Sequence, residues 1–273
     1  MEHNSPKGSQ FNIRQPQYLE SYGNFKDPDS FKPIANVVER YLKHKNPTSV
    51  RCLDSMAGTG LVGRKMQELF PGIKVVYQDG SIKMLSFGAY QNSDERILLD
   101  ATTLDVAIAD KSFDIVFCRA GLNNVKKEDY PKILAGQLRV LNNNGILILM
   151  DHFAQTEEEK KVINQIETEV KRIEGISDEV YVPTMEDLRG LIKNAGGKIT
   201  DEQLSRVRFS MKERFISKGI KWLDFFIFRK ILKAQNVLKY KETGDDIILI
   251  YPITTIAIQK IIIEQGESLL KSI

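Results

Sequence analysis

Three aspartates, each closing a short and mostly apolar run, are the residues of this sequence whose type and spacing best suit chemistry. Asp54, Asp79 and Asp100 follow one another at intervals of a little over twenty residues. Ionised carboxylates accept hydrogen bonds and attract cations. Three of them side by side would therefore suit a ligand that carries hydroxyl groups, amines or a positive charge.

A loop of small residues follows the first of these aspartates. It runs from Ser55 to Gly60 and leads into a helical pattern over Leu61 to Leu69, with Pro71-Gly72 as the stop. Gly58 and Gly60 carry no Cβ, so the main chain can approach a ligand closely there, and the amides that open the helix point toward that ligand. A strand, a tight loop and a helix of this kind indicate a site for a nucleotide-like cofactor.

The elements that must position these residues alternate along the chain. Strand-like runs lie at 51–54, 74–79, 97–100, 113–118, 146–150 and 204–209, with β-rich sequence at 246–263. Helical patterns lie at 34–42, 61–69, 81–89, 130–141, 156–173 and 184–195. Strands separated by helices of this length predict right-handed βαβ units and a parallel sheet. The three aspartates would then share its carboxyl edge, where open α/β sheets bind their ligands.

These motifs resemble those of the class I S-adenosylmethionine-dependent methyltransferases, in particular the small-molecule type with a methyltransferase 11 core. The resemblance covers about residues 34–200. Its motifs are Asp54 with the loop to Gly60, Asp79 with Ser81, Met84 and Leu85, Asp100 with Ala101, Phe113-Asp114, and Arg139-Val140-Leu141 before Gly145. The resemblance implies a Rossmann-like α/β fold, with a seven-stranded mixed sheet of six parallel strands and one antiparallel strand, helices on both faces and helical lid elements.

The resemblance also implies S-adenosylmethionine as the cofactor and assigns residues to it. Asp79 would bind the ribose hydroxyls, and Asp100 would bind the adenine amino group with the Ala101 amide beside it. Further cofactor contacts are expected from Asp54, Ala57, Gly58, Thr59, Gly60, Gly80, Met84, Tyr18 and the main chain near Arg119. The cofactor's polar groups are mostly donors or cations, so spaced carboxylates suit it.

Two positions depart from the family pattern. Met56 stands where the family loop has its first glycine, so the loop is expected to sit further from the cofactor or to take a different turn. Gly80 stands where an apolar side chain often packs against the adenine. These departures keep open the alternative of a catalytically silent, methyltransferase-like binding or scaffold protein.

A second alternative is an NAD-dependent oxidoreductase. The stretch from Gly58 to Gly63 fits the dinucleotide fingerprint, and Asp79 follows it by about 20 residues, as NAD binding requires. Dinucleotide loops usually follow the strand at once, however, whereas Asp54 lies four residues ahead of Gly58. Asp100 and the strand-rich C-terminus also favour methyl transfer.

Residues after the fourth and fifth strands are candidates for the acceptor side. Asn123 and Asn124 are candidates to face the substrate, and an ordinary loop role is the alternative. Methyltransferases that act on the amino groups of nucleic-acid bases carry an Asn/Asp-Pro-Pro-aromatic motif here, and this chain has none. A general base is needed only if the acceptor must lose a proton. His152, with Asp151 beside it, is the candidate for that role.

The N-terminal segment is expected to close the site, with Tyr18 over the cofactor and Tyr22 next to the substrate. Residues 1–33 are interpreted as an arm and cover, and 34–273 as the catalytic domain, in which 153–182 and 211–241 are helical insertions or a substrate lid. The span 211–241 has nine basic and two acidic residues interleaved with aromatics. This pattern also fits a membrane-surface helix, a partner interface, or burial against the core.

Composition limits the partners and the compartment. A net charge of +3, from 39 basic and 36 acidic residues, is too balanced for a dedicated nucleic-acid binder. Cys52 and Cys118 fall in predicted buried strands without a leader before them, so we expect both to be reduced in a cytoplasmic protein. No run reaches the roughly 18 apolar residues of a membrane span. The predicted partner is a small-molecule methyl acceptor, with peripheral membrane contact through 211–241 as an option and no metal.

Overall fold

The computed structural model describes residues 28–88, 93–173, 180–212, 239–243 and 246–261, and the structural statements below concern these ranges. Its helices are α1 Lys32–Leu42, α2 Leu61–Leu69, α3 Ile82–Phe87, α4 Leu104–Ala107, α5 Tyr130–Arg139, α6 Glu157–Ile173 and α7 Met185–Asn194. Its strands are β1 Arg51–Ser55, β2 Lys74–Asp79, β3 Glu95–Leu98, β4 Phe113–Arg119, β5 Leu141–Asp151, β6 Gly197–Ser210, β7 Lys239–Thr243 and β8 Asp246–Lys260.

The strands form one mixed sheet in the order β3-β2-β1-β4-β5-β8-β6. Strands β1 to β5 pair in parallel, and β8 runs antiparallel to both β5 and β6. Six of these seven strands therefore share one direction, which confirms the predicted Rossmann-like sheet. The order reverses between β1 and β4, so the topological switch point of the sheet lies between these two strands.

Two apolar cores cover the two faces of the sheet. One packs α1, α2 and α6 through residues such as Ile34, Val62 and Ile163. The other packs α5 and α7 through residues such as Ile133 and Leu188. Burial on both faces explains why the parallel strands read as continuous apolar runs rather than alternating ones.

Three strands differ from their predicted bounds. Strand β6 begins at Gly197, seven residues before its predicted start at 204, because its pairing with β8 continues to Lys260. Strand β3 ends at Leu98, because the Asp100 carboxylate turns the chain into a 3-10 turn over Ala101–Thr103. Strand β5 begins at Leu141, five residues before its predicted start at 146, although the Asn-Asn-Asn-Gly sequence of 142–145 is typical of a turn. The Asn142 side chain donates a 3.0 Å hydrogen bond to the carboxylate of Asp114 on β4, which holds this stretch beside the sheet.

Helices α6 and α7 begin with side-chain caps of different completeness. The Thr184 hydroxyl accepts a hydrogen bond from the Asp187 amide at 3.0 Å, and the Asp187 carboxylate accepts one from the Thr184 amide, which completes a capping box at α7. At α6 the Thr156 hydroxyl caps the Glu159 amide at 3.1 Å. The Glu159 carboxylate accepts from the Gln155 amide, whereas a capping box would use the Thr156 amide.

Strands β6 and β8 continue past the carboxyl edge of the parallel strands. Strand β5 ends at Asp151, which pairs with Thr254, whereas the β6–β8 ladder continues as far as the pair Ser210–Ile248. The six further pairs project by roughly 20 Å at 3.3–3.4 Å per residue. Strand β7, which sequence reasoning missed, pairs with β8 on the side that β5 leaves. We call residues 205–210, 239–243 and 246–253 the sheet extension.

The far end of the sheet extension is tied together by one carboxylate. Asp246 accepts hydrogen bonds from the Ser210 hydroxyl at 2.6 Å and from the Lys212 amide at 2.9 Å. The first residue of β8 therefore holds the last residue of β6 and the start of the segment that follows. Residues 213–238, most of the predicted lid at 211–241, lie outside the described ranges.

Several smaller expectations can be placed on the structure. Helix α1 begins at Lys32, two residues before the predicted start of the catalytic domain. Cys52 and Cys118 are both free and buried, as predicted. Among the described helices, none is long and apolar enough to cross a bilayer. The described side chains also include no group of three or more His, Cys, Asp or Glu residues that could hold a metal ion.

Candidate functional site

The carboxyl edge of the sheet brings together most of the charged residues that the sequence analysis singled out. Asp54 lies near the end of β1, Asp79 ends β2, Arg119 ends β4 and Asp151 ends β5. The three carboxylates are only 1%, 8% and 3% exposed. Burying so many acids at one edge is costly unless each finds partners, so their hydrogen bonds show what the edge is built to hold.

Asp79 closes the glycine loop onto β2. One carboxylate oxygen accepts a hydrogen bond from the Gly58 amide at 2.8 Å, and the other accepts one from the Ser81 amide at 2.8 Å. Burial raises the pKa of Asp79, and these two amides oppose the rise. Gly58 and Gly60 have φ values of 58° and 76°, the left-handed region that glycine enters without strain. The loop therefore wraps tightly around the acid predicted to bind ribose.

Asp54 anchors the helix that follows the loop. Its Oδ2 accepts a 2.9 Å hydrogen bond from the Gly63 amide in the first turn of α2. Burial raises the pKa of Asp54 to about 7, the Gly63 amide opposes the rise, and the nearby Asp79 adds to it. The position fits a cationic ligand, because a positive group placed next to this carboxylate would favour its ionised form.

The β3 side of the edge is shaped by main-chain groups. Asp100 accepts hydrogen bonds from the Thr102 amide at 2.8 Å and the Thr102 hydroxyl at 2.7 Å, and Ala101 behind it is buried. A Cβ added at Gly80 would lie 3.8 Å from the Leu99 carbonyl oxygen, an ordinary contact distance. Gly80 therefore leaves room beside Asp100 that an apolar side chain could fill.

Three further predicted cofactor contacts, Ala57, Thr59 and Met84, lie within the described residues. The Met84 side chain, on α3, is fully buried, and Thr59 is 3% exposed. Ala57 donates a main-chain hydrogen bond to the Gln78 carbonyl at 2.8 Å and accepts one from the Gly60 amide. The roles of Ala57, Thr59 and Met84 toward the cofactor stay predictions. Tyr18 and Tyr22 lie outside the described residues.

Met56 adopts the conformation of a glycine although it has a side chain. Its φ is 58°, a left-handed value that costs a non-glycine residue roughly 1–2 kcal/mol. Its amide donates to the Gln78 side-chain oxygen at 3.1 Å, which helps to hold the turn. The methionine at position 56 therefore keeps the turn that a glycine would form, at the cost of backbone strain.

A buried chain of polar side chains below the edge was missed by sequence reasoning. Gln137 on α5 donates to the Ser55 hydroxyl at 3.2 Å, and Ser55 donates to the Gln78 side chain at 3.0 Å. Gln78 in turn donates to the Leu99 carbonyl at 2.5 Å. All three side-chain residues are fully buried. The signal in the sequence was a glutamine directly before Asp79 in an otherwise apolar strand.

Arg119 was predicted to contribute its main chain, and the structure also gives its side chain a definite place. The guanidinium carbon lies 4.7 Å from the centroid of the Phe31 ring, and Nη2 lies 3.4 Å from the Ser30 hydroxyl. Burial lowers the pKa of Arg119 to about 10, while Asp151 and Asp54 oppose the shift. The side chain therefore stays cationic at neutral pH, in contact with the 3-10 turn that precedes α1.

The acceptor candidates surround Asp151. Its carboxylate accepts hydrogen bonds from the His152 amide at 2.8 Å and the Asn123 amide at 3.3 Å. Asn124 donates its side-chain amide to the Ala120 carbonyl at 2.8 Å and to Asn123 Oδ1 at 2.7 Å. Burial raises the pKa of Asp151 to about 7, and the amides around it oppose the rise. Asp151 thus organises the loops after β4 and β5, and the half-buried His152 lies beside it.

Comparisons with known proteins agree with this geometry. A family model described as a methyltransferase domain matches residues 53–149, which include Asp54, Asp79, Asp100 and Arg119. No curated protein matches the chain in sequence.

Solved structures share the fold at low identity. A Bacillus halodurans protein described as a methyltransferase has a TM-score of 0.68 and 16% identity, covering 82% of this chain and 99% of its own. The YcgJ protein of Bacillus subtilis has a TM-score of 0.66 and 16% identity, covering 83% and 97%. Phosphoethanolamine N-methyltransferase 2 of Haemonchus contortus, in complex with phosphomonomethylethanolamine and S-adenosylhomocysteine, has a TM-score of 0.58 and 17% identity, covering 92% and 58%.

Proposed function

We propose that this chain, a class I S-adenosylmethionine-dependent methyltransferase by its matched domain and its fold, passes the methyl group to a small-molecule acceptor at the carboxyl edge of its sheet. The observation that carries the proposal is the Gly58–Asp79 hydrogen bond, which joins the glycine loop to a buried acid. This arrangement sets main-chain amides and a carboxylate side by side, as a ligand with both acceptors and donors requires.

The residues present suit S-adenosylmethionine in charge and in shape. Asp79 would accept from the ribose hydroxyls through lone pairs that remain beside its two amide contacts. Asp100 and the Ala101 amide would hold the adenine edge. Asp54 and the main chain of 57–60 would lie beside the amino-acid end. The buried carboxylates at this edge favour a cationic guest over a neutral one.

The bound cofactor supplies a methyl group on a sulfonium, whose departure leaves a neutral thioether. Alignment of the acceptor atom therefore matters more than acid–base help. His152 is the candidate base for acceptors that must lose a proton, because it directly follows the end of β5. Asp151 is better suited to orient the loops around it than to take that proton, since its oxygens already accept from main-chain amides.

The acceptor would be bound between the loop after β4 and the sheet extension. Asn123 and Asn124 lie in a 3-10 turn beside Asp151, and Tyr22 stays a prediction for the same side. The sheet extension rises from the edge next to Asp151 and could form one wall for the acceptor. A small acceptor fits this description, and the Haemonchus contortus protein gives an example of one on the same fold.

Calorimetry with S-adenosylhomocysteine and with NAD tests the proposal directly. We expect the wild-type protein to bind S-adenosylhomocysteine and not to bind NAD. Asp79→Ala should weaken that binding while the protein stays folded, and equal binding by this variant would place the ribose elsewhere. Binding of NAD alone would favour an oxidoreductase. Absence of binding to either ligand would favour a scaffold protein.

A further inference from the structure

Arg119 is a cation buried among acids, and its side chain has no role in the assignments above. Its guanidinium carbon lies 4.7 Å from the centroid of the Phe31 ring, and Nη2 lies 3.4 Å from the Ser30 hydroxyl. A cation–π contact of this kind holds the guanidinium beside the ring. Phe31 is 3% exposed, so the ring is itself held by the core.

The position of Arg119 in the sheet indicates which end of the cofactor it would meet. Asp100 follows β3, Asp79 ends β2, the glycine loop follows β1, and Arg119 ends β4, in the spatial order of these neighbouring strands. Neighbouring strands lie about 4.8 Å apart. If adenine is held at Asp100 and ribose at Asp79, as proposed above, the amino-acid end lies over β1 and β4, on the same side as Arg119.

The chemistry of that end matches a guanidinium. The methionine moiety carries a carboxylate, and two parallel N–H groups of an arginine are the strongest partner a carboxylate finds in proteins. Arg64, the other arginine near the loop, donates to the main-chain carbonyl of Thr59 and so braces the loop itself. The nearby Asp54 and Asp151 offset the charge of Arg119, which allows a cation to lie close to a sulfonium.

We infer that the side chain of Arg119 binds the carboxylate of the cofactor's methionine moiety and that Phe31 positions it. The inference rests on the proposed function, because it takes the adenine and ribose positions from there. Arg119 is then a specificity determinant, since it separates ligands that have this carboxylate from otherwise identical ligands that lack it.

The test compares two ligands by calorimetry. S-adenosylhomocysteine and S-adenosyl-3-thiopropylamine differ only in the carboxylate, which the second lacks. The wild-type protein should prefer the first by about ten- to a hundredfold. Arg119→Gln should reduce this preference to about threefold or less by weakening S-adenosylhomocysteine alone. Arg64→Gln, the matched control, should weaken both ligands alike and keep the preference.

Several outcomes would overturn the inference. Equal losses for both ligands in Arg119→Gln, or no loss for either, would give Arg119 a purely structural role. If Arg119→Gln does not fold, Phe31→Leu keeps an apolar side chain without the aromatic ring and should lower the preference in the same direction. A wild-type protein that binds both ligands equally well would refute the inference and leave the proposed function intact. A wild-type protein that binds neither would refute both.

Discussion

The carboxylate of Asp54 accepts a 2.9 Å hydrogen bond from the Gly63 amide and so joins the end of β1 to the first turn of α2. This contact is possible only because residue 63 has no side chain. A Cβ there would lie 2.5 Å from Tyr77 Cε1 and 2.7 Å from Val75 Cγ1. Both neighbours are buried in β2, so neither can move away easily.

Gly63→Ala should therefore destabilise the protein by about 1–3 kcal/mol, the usual cost of overpacking a core. Chemical denaturation would measure the loss. Gly190→Ala is the matched control, since it lies in α7 with nothing within 4 Å of the added Cβ. That change should raise stability by up to about 1 kcal/mol through helix propensity. Unchanged stability of Gly63→Ala would show that α2 can shift away from β2.

Gly80→Leu should tighten cofactor binding. The position beside Asp100 has room for a side chain, and the added apolar surface would be covered by the adenine. We expect S-adenosylhomocysteine to bind about three- to tenfold more tightly, by about 0.7–1.4 kcal/mol. Gly80→Ala serves as the control and should give a smaller gain in the same calorimetric titration. Weaker binding by Gly80→Leu would mean that the adenine does not lie over residue 80.

Gln78→Leu should cost both stability and affinity. The change leaves the Met56 amide, the Ser55 hydroxyl and the Leu99 carbonyl without the partner that Gln78 provides. A buried group in this state costs about 1–3 kcal/mol. Because the loop at 56–60 and the turn at 100–103 share this support, affinity for S-adenosylhomocysteine should also fall by about ten- to a hundredfold.

The control for Gln78 is Gln137→Met. Gln137 donates a longer 3.2 Å hydrogen bond to the Ser55 hydroxyl and also contacts the Cys118 thiol, but it does not contact the loop at 56–60 or the turn at 100–103 through any of its described hydrogen bonds. Its loss should lower the melting temperature but leave most of the cofactor affinity. A Gln78→Leu protein that binds as tightly as the wild type would show that the loop and the turn do not need a common support.

Stability should fall as the pH rises from about 4 to about 7. Burial raises the pKa values of Asp54 and Asp151 to about 7, whereas both groups ionise near pH 4 in the unfolded chain. In this window the folded state holds more protons than the unfolded state, so the free energy of unfolding decreases with pH. Each carboxyl should contribute on the order of 1–4 kcal/mol of this decrease.

Denaturation curves at pH 5 and pH 7.5 measure this effect, and Asp151→Asn isolates one of the two groups. The variant cannot ionise at residue 151, so its stability should change less with pH than that of the wild type. Identical pH dependence in the two proteins would mean that Asp151 is already ionised at pH 5.

The sequence was sufficient for the parallel part of the fold because local patterns and topology agree there. Apolar runs that end in acids predicted β1 and β2 closely, and βαβ handedness then placed Asp54 and Asp79 on one edge. The capping residues Thr184 and Asp187 marked the start of α7 for the same reason, since the cap is a contact between near neighbours.

What the sequence did not predict depends on long-range pairing. Strand β7 is recognised only through its ladder with β8. Its five residues do not show the clear alternation of apolar and polar side chains that would predict a strand. The link from Gln137 to Ser55 joins residues 82 positions apart, and the cation–π contact of Arg119 with Phe31 joins the end of β4 to the turn before α1. No local sequence pattern predicts contacts of this kind.

The ladder of β6 and β8 separates two tasks within one sheet. The acids proposed to face the methyl donor follow or end the parallel strands β1, β2 and β3, while the pairs beyond Asp151 and Thr254 involve none of those strands. Lengthening or exchanging the outer pairs would thus leave the donor side undisturbed. A homologue could therefore change its acceptor specificity through substitutions in the sheet extension alone.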